Sequence, residues 1–379
     1  MTVFDTPETG ELQEAVREVV HRVIAPIADA LPAGERLSAD QIRTCFRALQ
    51  PHGYLGSTVP VEFGGAGLSY VQYGMLLEAI AKGPILFGEV VPPRTINYLG
   101  SDEQKRRWMP KLLSGDWIAS AAITEPQAGS DMRAFTTQAV LAGDHYVVNG
   151  RKRWLKLGSV ADLITLMVVD PTSGGGLSRL VVERDASSWQ SRDINTVGLR
   201  HFSLAEIAFK DTEVPRENIL GAAGAGGEQF HRGIESSRAF IGIQAVGLAS
   251  RALERALSYA GDRVAFGRPI GRFQSIQVAL ADAATRLQAA RLLCLNALTI
   301  LDSGRRAPRD VSMAKLFAVE TAIAVCQTSM ECMGAWGTAE EAEVERCWRD
   351  AAMLSAIDGT AGIQRLIIGR ETLGMSAFT

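Results

Sequence analysis

Asp358 stands in the stretch AIDGTAGIQRLIIGRE (356–371), followed by Gly359, Thr360 and an apolar run with helical spacing. A carboxylate there has two employments. It can cap the helix that follows, or it can take a proton from a substrate held against it. The two are compatible, because the positive end of a following helix favours an ionised side chain. Three further clusters combine residue types that suit a bound cofactor. In AAITEPQAGSDM (121–132), Thr124, Glu125, Gly129, Ser130 and Asp131 crowd one loop. Such residues make ordinary turns, and they also make a cradle of backbone N–H and hydroxyl groups for a polar ring edge or a phosphate. NGRKRWLKLG (149–158) reads as a turn and then a strand. Strict alternation puts Lys152, Trp154 and Lys156 on one face and Arg151, Arg153 and Leu155 on the other. The bland reading is a solvated basic face; the functional one is an aromatic wall beside a cation, suited to a flat, electron-poor ring. In DRVAFGRPIGRFQSIQ (262–277), Arg263, Arg268, Arg272 and Gln274 gather round a Gly-Arg-Pro turn next to Phe266. That density fits either a solvated loop or a diphosphate with its adenine.

Helices and strands must position these groups. Residues 11–118 read as helices with Ser, Asp, Gly or Pro at their ends, among them SADQIRTCFRALQPHG, SYVQYGMLLEAIAKG and SDEQKRRWMPKLLSGD. Between about 119 and 222 short apolar runs alternate with turn residues, which predicts a β domain. Long helical patterns then return at roughly 227–260, 275–298, 309–334 and 341–373, a four-helix bundle. In one of them Ile276, Leu280, Ala283, Leu287, Ala290 and Cys294 lay a single apolar stripe. The predicted class is α+β, with an N-terminal helical domain (1–118), a middle β-barrel or sandwich domain (119–225) and a C-terminal four-helix bundle (226–379).

Composition narrows the partners. The chain has 379 residues, 47% of them hydrophobic, which is more than one core usually serves. Its net charge is -3 and no block of like charges appears, so nucleic acid is not an expected partner. The five cysteines lack CxxC spacing and fall in apolar patterns, which predicts buried free thiols in a reducing compartment and no metal site. The N-terminus carries acids where a signal peptide carries bases, and the apolar run AFIGIQAVGLAS is too short to span a bilayer. A soluble, cytoplasmic protein without a membrane partner is expected. GxGxxG, GxxxxGK[ST], HExxH and GxSxG are absent, and the five histidines are scattered.

Taken in order and spacing, TVPVEFGGAG, SDEQKRRWMPKLLSG, AAITEPQAGSDM, NGRKRWLKLGSVADL, GLRHFSLAEIAFKDTEVP, DRVAFGRPIGRFQSIQ and ERCWRDAAMLSAIDGTAGIQRLIIGRE resemble the acyl-CoA dehydrogenase family over about residues 50–373. The resemblance implies FAD as cofactor, an acyl thioester of CoA or an acyl carrier protein as substrate, and a homotetramer or homodimer. It implies that Thr124 contacts the pyrimidine edge of the flavin, that Ser130 meets FAD or the pantetheine arm, and that Trp154 packs on the isoalloxazine. Arg263, Phe266 and Gln274 would hold the diphosphate and adenosine of a neighbouring subunit's FAD, with Glu331, Lys156 and Thr360 also in the cofactor-binding set. Arg238 and Glu235 fall near the thioester end. Asp358 falls where many members carry the catalytic glutamate, and its own backbone N–H would help to hold the enolate oxygen while flavin N5 takes the hydride.

Several positions depart from the family pattern. Asp358 is one C–C bond shorter than Glu, about 1.5 Å. Lys156 replaces a threonine that bonds flavin N5, and is expected to point at the ring, where it stabilises reduced, anionic flavin or pairs with Asp358 or with a substrate carboxylate. Ser237 occupies the place of an alternative glutamate base. Glu331, Ala335, Ala265 and Gly362 replace residues more usual at the adenine and diphosphate end. The leading expectation is therefore α,β-dehydrogenation of a small or unusual acyl thioester in specialised biosynthesis, with an unknown electron acceptor. A flavin oxidase or monooxygenase, like nitroalkane oxidase with its aspartate base, and a non-redox acyl-thioester binding protein or lyase are the alternatives.

Overall fold

The computed structural model describes residues 4–32 and 34–377. Its N-terminal region is helical. α1 (Pro7–Val19) passes through a π turn, Val20–Ile24, into α2 (Ala25–Asp29), and α3 (Ala39–Leu49), α4 (Tyr70–Ala81), α5 (Val91–Leu99) and α6 (Asp102–Leu113) follow. Three of them start in the same way. Ser38, Ser69 and Ser101 each accept a bond from the N–H of a Gln three residues on, and the side chain of that Gln accepts one from the N–H of the Ser. This reciprocal box satisfies two donors that a helix start would leave orphaned, so sequence fixes where α3, α4 and α6 begin.

The middle region is one sheet of seven strands: β1 (Ala119–Ala122), β2 (Gln138–Ala142), β3 (His145–Lys156), β4 (Leu163–Asp170), β5 (Gly176–Glu183), β6 (Gln190–Asp193) and β7 (Leu204–Pro215). β4 holds antiparallel β5 on one side and parallel β1 and the start of β2 on the other; β3, β7 and β6 continue outward from β2. Val148, Leu155, Leu166, Val168, Leu180, Val182, Ala205 and Ile207, drawn from four of these strands, pack into a single core cluster. One face meeting itself in this way means that the sheet curls.

The C-terminal region begins with α7 (Gly226–Asp262), followed by a small hairpin of β8 (Val264–Ala265) and β9 (Arg268–Pro269). α8 (Gln274–Asp302) and α9 (Pro308–Met333) are long, and the fourth place in the bundle is shared by α10 (Val344–Leu354) and α11 (Ala361–Leu373). Along α8, Leu280, Ala283, Leu287, Ala290 and Cys294 are buried at the expected spacing, and Ile276 packs against the same core from its edge. α9 with its 3-10 extension has the length and hydropathy of a membrane span, yet 56% of that window is buried, as in the central helix of a bundle. All five cysteines are free and buried.

α7 can lie centrally because it carries glycine where neighbours press closest. A Cβ built on Gly247 would stand 2.4 Å from the Glu78 carbonyl oxygen and 2.7 Å from the Ala81 Cβ, both on α4. Backbone cannot move aside as a flexible side chain can. Gly247→Ala is therefore expected to lower stability by about 1–3 kcal/mol through overpacking. Gly261→Ala, on the same helix but facing open space, should leave stability unchanged or raise it by up to about 1 kcal/mol. Urea unfolding midpoints of the two variants test the contrast.

Candidate active site

α10 and α11 do not form one helix because the backbone between them turns left-handed. Asp358 has φ +52° and Gly359 φ +96°. Aspartate is one of the few side-chain-bearing residues that visits this region readily, and glycine does so freely. The turn is then clamped through its carbonyls. Arg238 Nε donates to Asp358 O at 3.2 Å, Gln364 Nε2 to Asp358 O at 3.1 Å and Gly359 O at 3.0 Å, and Lys315 Nζ to Gly359 O at 2.5 Å. Helices α7, α9 and α11 thus converge on two successive carbonyls, and Gln364 of α11 holds both.

The Asp358 carboxylate and backbone N–H, by contrast, have no hydrogen-bond partner among the described residues. Capping belongs to its neighbour: Thr360 Oγ1 accepts the Ile363 N–H at 3.4 Å, which corrects the reading of Asp358 as a cap. Nor does the start of α11 dominate its ionisation. Burial, and then the negative charge of Glu89, raise the Asp358 pKa above its usual value, while Lys315, Arg238 and Arg94 pull the other way.

Glu89 and Arg94 were not anticipated. Arg94 Nε meets Glu89 Oε1 at 2.7 Å, Ser237 Oγ donates to Glu89 Oε2 at 2.8 Å, and Arg94 Nη2 donates to Ser237 Oγ at 2.8 Å. Ser237 therefore closes a ring linking α5 to α7. Lys156 Nζ donates to the carbonyls of Gly88 and Glu89 at 3.1 Å each. Burial lowers its pKa to about 8 against the opposing pull of Glu89 and Asp358, with which it makes no direct ion pair among the described residues.

The expected alternation along β3 fails at Trp154. Arg153 pairs with Glu206 and Leu155 with Ala205, so one residue is extra, and Trp154 takes φ +70°. This bulge shifts the phase of the strand. Lys152, opposite Ile207, and Leu155, opposite Ala205, share the buried face, whereas Lys156 lies on the other side with Arg153. Trp154 is pushed out of the ladder and is 48% exposed, with the Arg153 guanidinium 4.7 Å from its ring centroid. The cation beside the aromatic wall is therefore Arg153, not Lys156.

Thr124 sits next to this indole because its carbonyl accepts the Arg153 N–H at 2.8 Å. Beneath it Glu125 is buried and accepts bonds from Lys152 Nζ (2.9 Å), Thr136 N (2.8 Å) and Thr137 N (2.9 Å). Burial would raise the Glu125 pKa, but Lys152 and these N–H groups more than offset it and lower it to about 2. Burial likewise lowers Lys152 to about 8. Glu125 thus organises the loop, Thr124 stays half-exposed at its edge, and Ser130 is exposed near its tip. An outward indole flanked by a half-exposed hydroxyl fits a flat ring with a polar edge, and in this respect the residues suit a flavin.

The other expected residues lie elsewhere. Arg238 is at the turn, but Glu235 is committed to the α8–α9 connection through Arg306 Nε at 2.6 Å and Ala307 N at 3.1 Å. Arg263, Phe266 and Gln274 are exposed at the far end of α7, Phe266 by 95%. Arg263 follows Arg238 by 25 positions (263 − 238) on or just beyond α7, roughly 37 Å along the axis. These residues cannot reach the ligand atoms that Asp358 of the same chain faces. Glu331, near the end of α9, is exposed and accepts a bond from Gln327 at 3.1 Å. Of the unanticipated residues, Lys315 leaves a trace in sequence: it is a cation on the buried stripe of Val311, Ala314, Ala318 and Val319. Gln364, buried beside Ile367, is a similar polar interruption.

Family models match this chain along most of its length: acyl-CoA dehydrogenase N-terminal domain at 6–116, middle domain at 120–212 and C-terminal domain at 224–373. Cyclohex-1-ene-1-carbonyl-CoA dehydrogenase of Syntrophus aciditrophicus (strain SB) is 37% identical over 378 residues, 97% of this chain and 90% of that protein. The solved structure of glutaryl-coenzyme A dehydrogenase in complex with glutaryl-CoA is similar at a TM-score of 0.92 and 32% identity, covering 99% of this chain and 97% of that one. Prolyl acyl carrier protein oxidase is similar at a TM-score of 0.89 and 28% identity, covering 98% and 100% respectively.

Removing one partner of a buried ion pair strands the other. Lys152→Met should destabilise the protein by about 3–5 kcal/mol, and adding Glu125→Gln to it should recover a large part of that loss. Chemical denaturation of the single and double variants measures both values.

Proposed function

Because the chain belongs to the acyl-CoA dehydrogenase family, we propose that it is an FAD-dependent dehydrogenase of a small or unusual acyl thioester in which Asp358 removes the α-proton. One observation carries this reading: the Asp358 turn is clamped from three helices by its carbonyls, while its carboxylate and N–H have no hydrogen-bond partner among the described residues. A base needs both firmness of position and an unoccupied lone pair. Its raised pKa strengthens it as a proton acceptor for a weak carbon acid.

Negative charge that leaves Cα as the proton departs collects on the thioester oxygen. The Asp358 N–H is a fixed donor for that oxygen, and Arg238, Lys315 and Lys156 surround the turn with positive charge. Trp154 and Thr124 would hold the flavin ring, with Ser130 next to the pantetheine arm or the cofactor. FAD, when bound, supplies the acceptor for the β-hydrogen as hydride. Since Asp reaches about 1.5 Å less far than Glu, the acyl Cα must approach the α10–α11 turn more closely, which favours a compact acyl group. The cyclohexene-carbonyl and glutaryl groups named for the relatives are of that kind.

Arg263, Phe266 and Gln274 are too distant to serve the same chain's flavin ring, so they would grip the diphosphate and adenosine of a neighbouring copy in a homodimer or homotetramer. CoA is the proposed carrier; prolyl acyl carrier protein oxidase makes a carrier protein the second choice. Five buried free thiols fit a reducing cytoplasm.

The purified protein should be yellow and should bleach without oxygen when given its acyl thioester. Rapid reoxidation by air with peroxide release would instead identify an oxidase. Asp358→Asn should keep the yellow colour and lose bleaching by about 10³-fold or more; unchanged bleaching would refute Asp358 as the base. The carboxylate must be ionised to accept a proton, so the bleaching rate should fall as pH drops through its raised pKa. Glu89→Gln removes a negative charge that raises that pKa, and should therefore move the fall to lower pH. A shift to higher pH, or none, would disprove the coupling.

A further inference from the structure

On β5 of the sheet, beside the start of α7, lies a cation that the proposed mechanism does not use. Arg179 of β5 is 5% exposed. Its Nε and Nη1 have no hydrogen-bond partner, and no ion pair to it is found among the described residues. It shares a face with Met167, its cross-strand partner, within the apolar cluster of Ala128, Phe135 and Met167 that underlies the 121–132 loop. Its guanidinium stands 5.7 Å from the ring centroid of Phe230 at the start of α7. Burial, and then the like charge of Arg94, lower its pKa to about 10.

Its neighbours sharpen the imbalance. Arg94 has Glu89 and Lys152 has Glu125, both at hydrogen-bonding distance, but Arg179, which feels the charge of the first and is felt by the second, has no carboxylate partner among the described residues. Two more polar atoms there are buried without partners. Thr165 Oγ1 belongs to β4, on the same face as Met167, and Asn97 Oδ1 belongs to α5, three residues on from Arg94. Buried cations and hydroxyls are not left empty-handed in a stable fold without reason. The unmet donors, Arg179 Nε and Nη1 and the Thr165 hydroxyl, with one surplus positive charge, match a carboxylate, which accepts a bidentate fork from arginine; the Asn97 oxygen is an acceptor and takes no part.

Arg94 donates to Gly233 O at 3.0 Å and to Ser237 Oγ at 2.8 Å, so along α7 it lies between Phe230, where Arg179 stands, and Arg238, which bonds the Asp358 carbonyl. From this we infer that Arg179, with Thr165, receives a carboxylate at the far end of the acyl group, and that the substrate is an acyl thioester of a dicarboxylic acid. The inference rests on the dehydrogenase reading for the position of Cα at Asp358. Phosphates of CoA are the other source of anionic charge, and the experiment separates the two.

The FAD-loaded Asp358→Asn protein binds ligand without turnover, so calorimetry on it reads affinity alone. Glutaryl-CoA should bind roughly 10- to 100-fold more tightly than pentanoyl-CoA, the gain of a hydrogen-bonded charge pair. Adding Arg179→Met should erase that preference while leaving pentanoyl-CoA and free CoA unchanged; adding Arg179→Lys, which keeps charge and fold, should retain part of it. Equal or better binding of pentanoyl-CoA before the Arg179 change overturns the inference. So does an equal loss for free CoA in the Arg179 variants, which would assign the cluster to CoA phosphate. If pentanoyl-CoA binds better and also bleaches the enzyme with Asp358 intact, dehydrogenation stands and this inference falls. If the carboxylate preference holds but neither thioester bleaches that enzyme, the reverse is true.

Discussion

A left-handed turn of two residues, Asp358 and Gly359, is the constraint on which the rest of the site depends. The backbone there does not hold itself. Arg238 reaches it from α7, Lys315 from α9 and Gln364 from α11, and all three bind carbonyl oxygens. The bundle must therefore pack in one register for the turn to exist, which explains why α7 bears glycine against α4. Desolvating Lys315 has a visible cost, since its pKa falls to about 8 with burial and is lifted only partly by Asp358. Paired to carbonyls, such a cation fixes the backbone and leaves the carboxylate lone pairs unoccupied.

The charges of the cleft are unbalanced by design of the packing. Asp358 and Glu89 face Arg94, Arg238, Lys156 and Lys315, so cations outnumber carboxylates four to two. In a buried setting a surplus of one sign is tolerated when groups of the other sign arrive with the ligand. An enolate oxygen and a reducing flavin both bring negative charge. Glu89 moderates the surplus and, by repulsion, keeps Asp358 a stronger base than an exposed aspartate.

Much of this was legible in the residues. The Ser-x-x-Gln boxes predict helix starts because capping is local, and the α8 stripe predicts a buried face because helical period is regular. Asp358 could be singled out by its place before Gly-Thr. The phase of β3 beyond Trp154 could not, because a bulge adds one residue without leaving a mark in an alternation count. Glu89 and Arg94 were hidden for another reason: they flank the start of α5, and what they do is decided by Ser237 and Lys156, 148 and 67 positions away. Pairings that distant in sequence have no period to read. Lys315 is the intermediate case, a charge on an apolar stripe whose meaning depends on knowing what lies opposite.

A division of labour runs through the site. Groups with structural duties are fully paired: Thr360 caps α11, Glu125 is saturated by Lys152 and the 136–137 backbone, and Glu235 ties α7 to the α8–α9 connection. Because Thr360 takes the cap, the Asp358 carboxylate has no capping bond to keep. Because Glu125 takes Lys152, Thr124 and Trp154 can face outward on a loop and bulge that do not yield. The residues left under-satisfied are then the informative ones. A carboxylate and a guanidinium without partners among the described residues, and an exposed indole, each carry a solvation cost that a bound flat ring or a charged ligand group offsets.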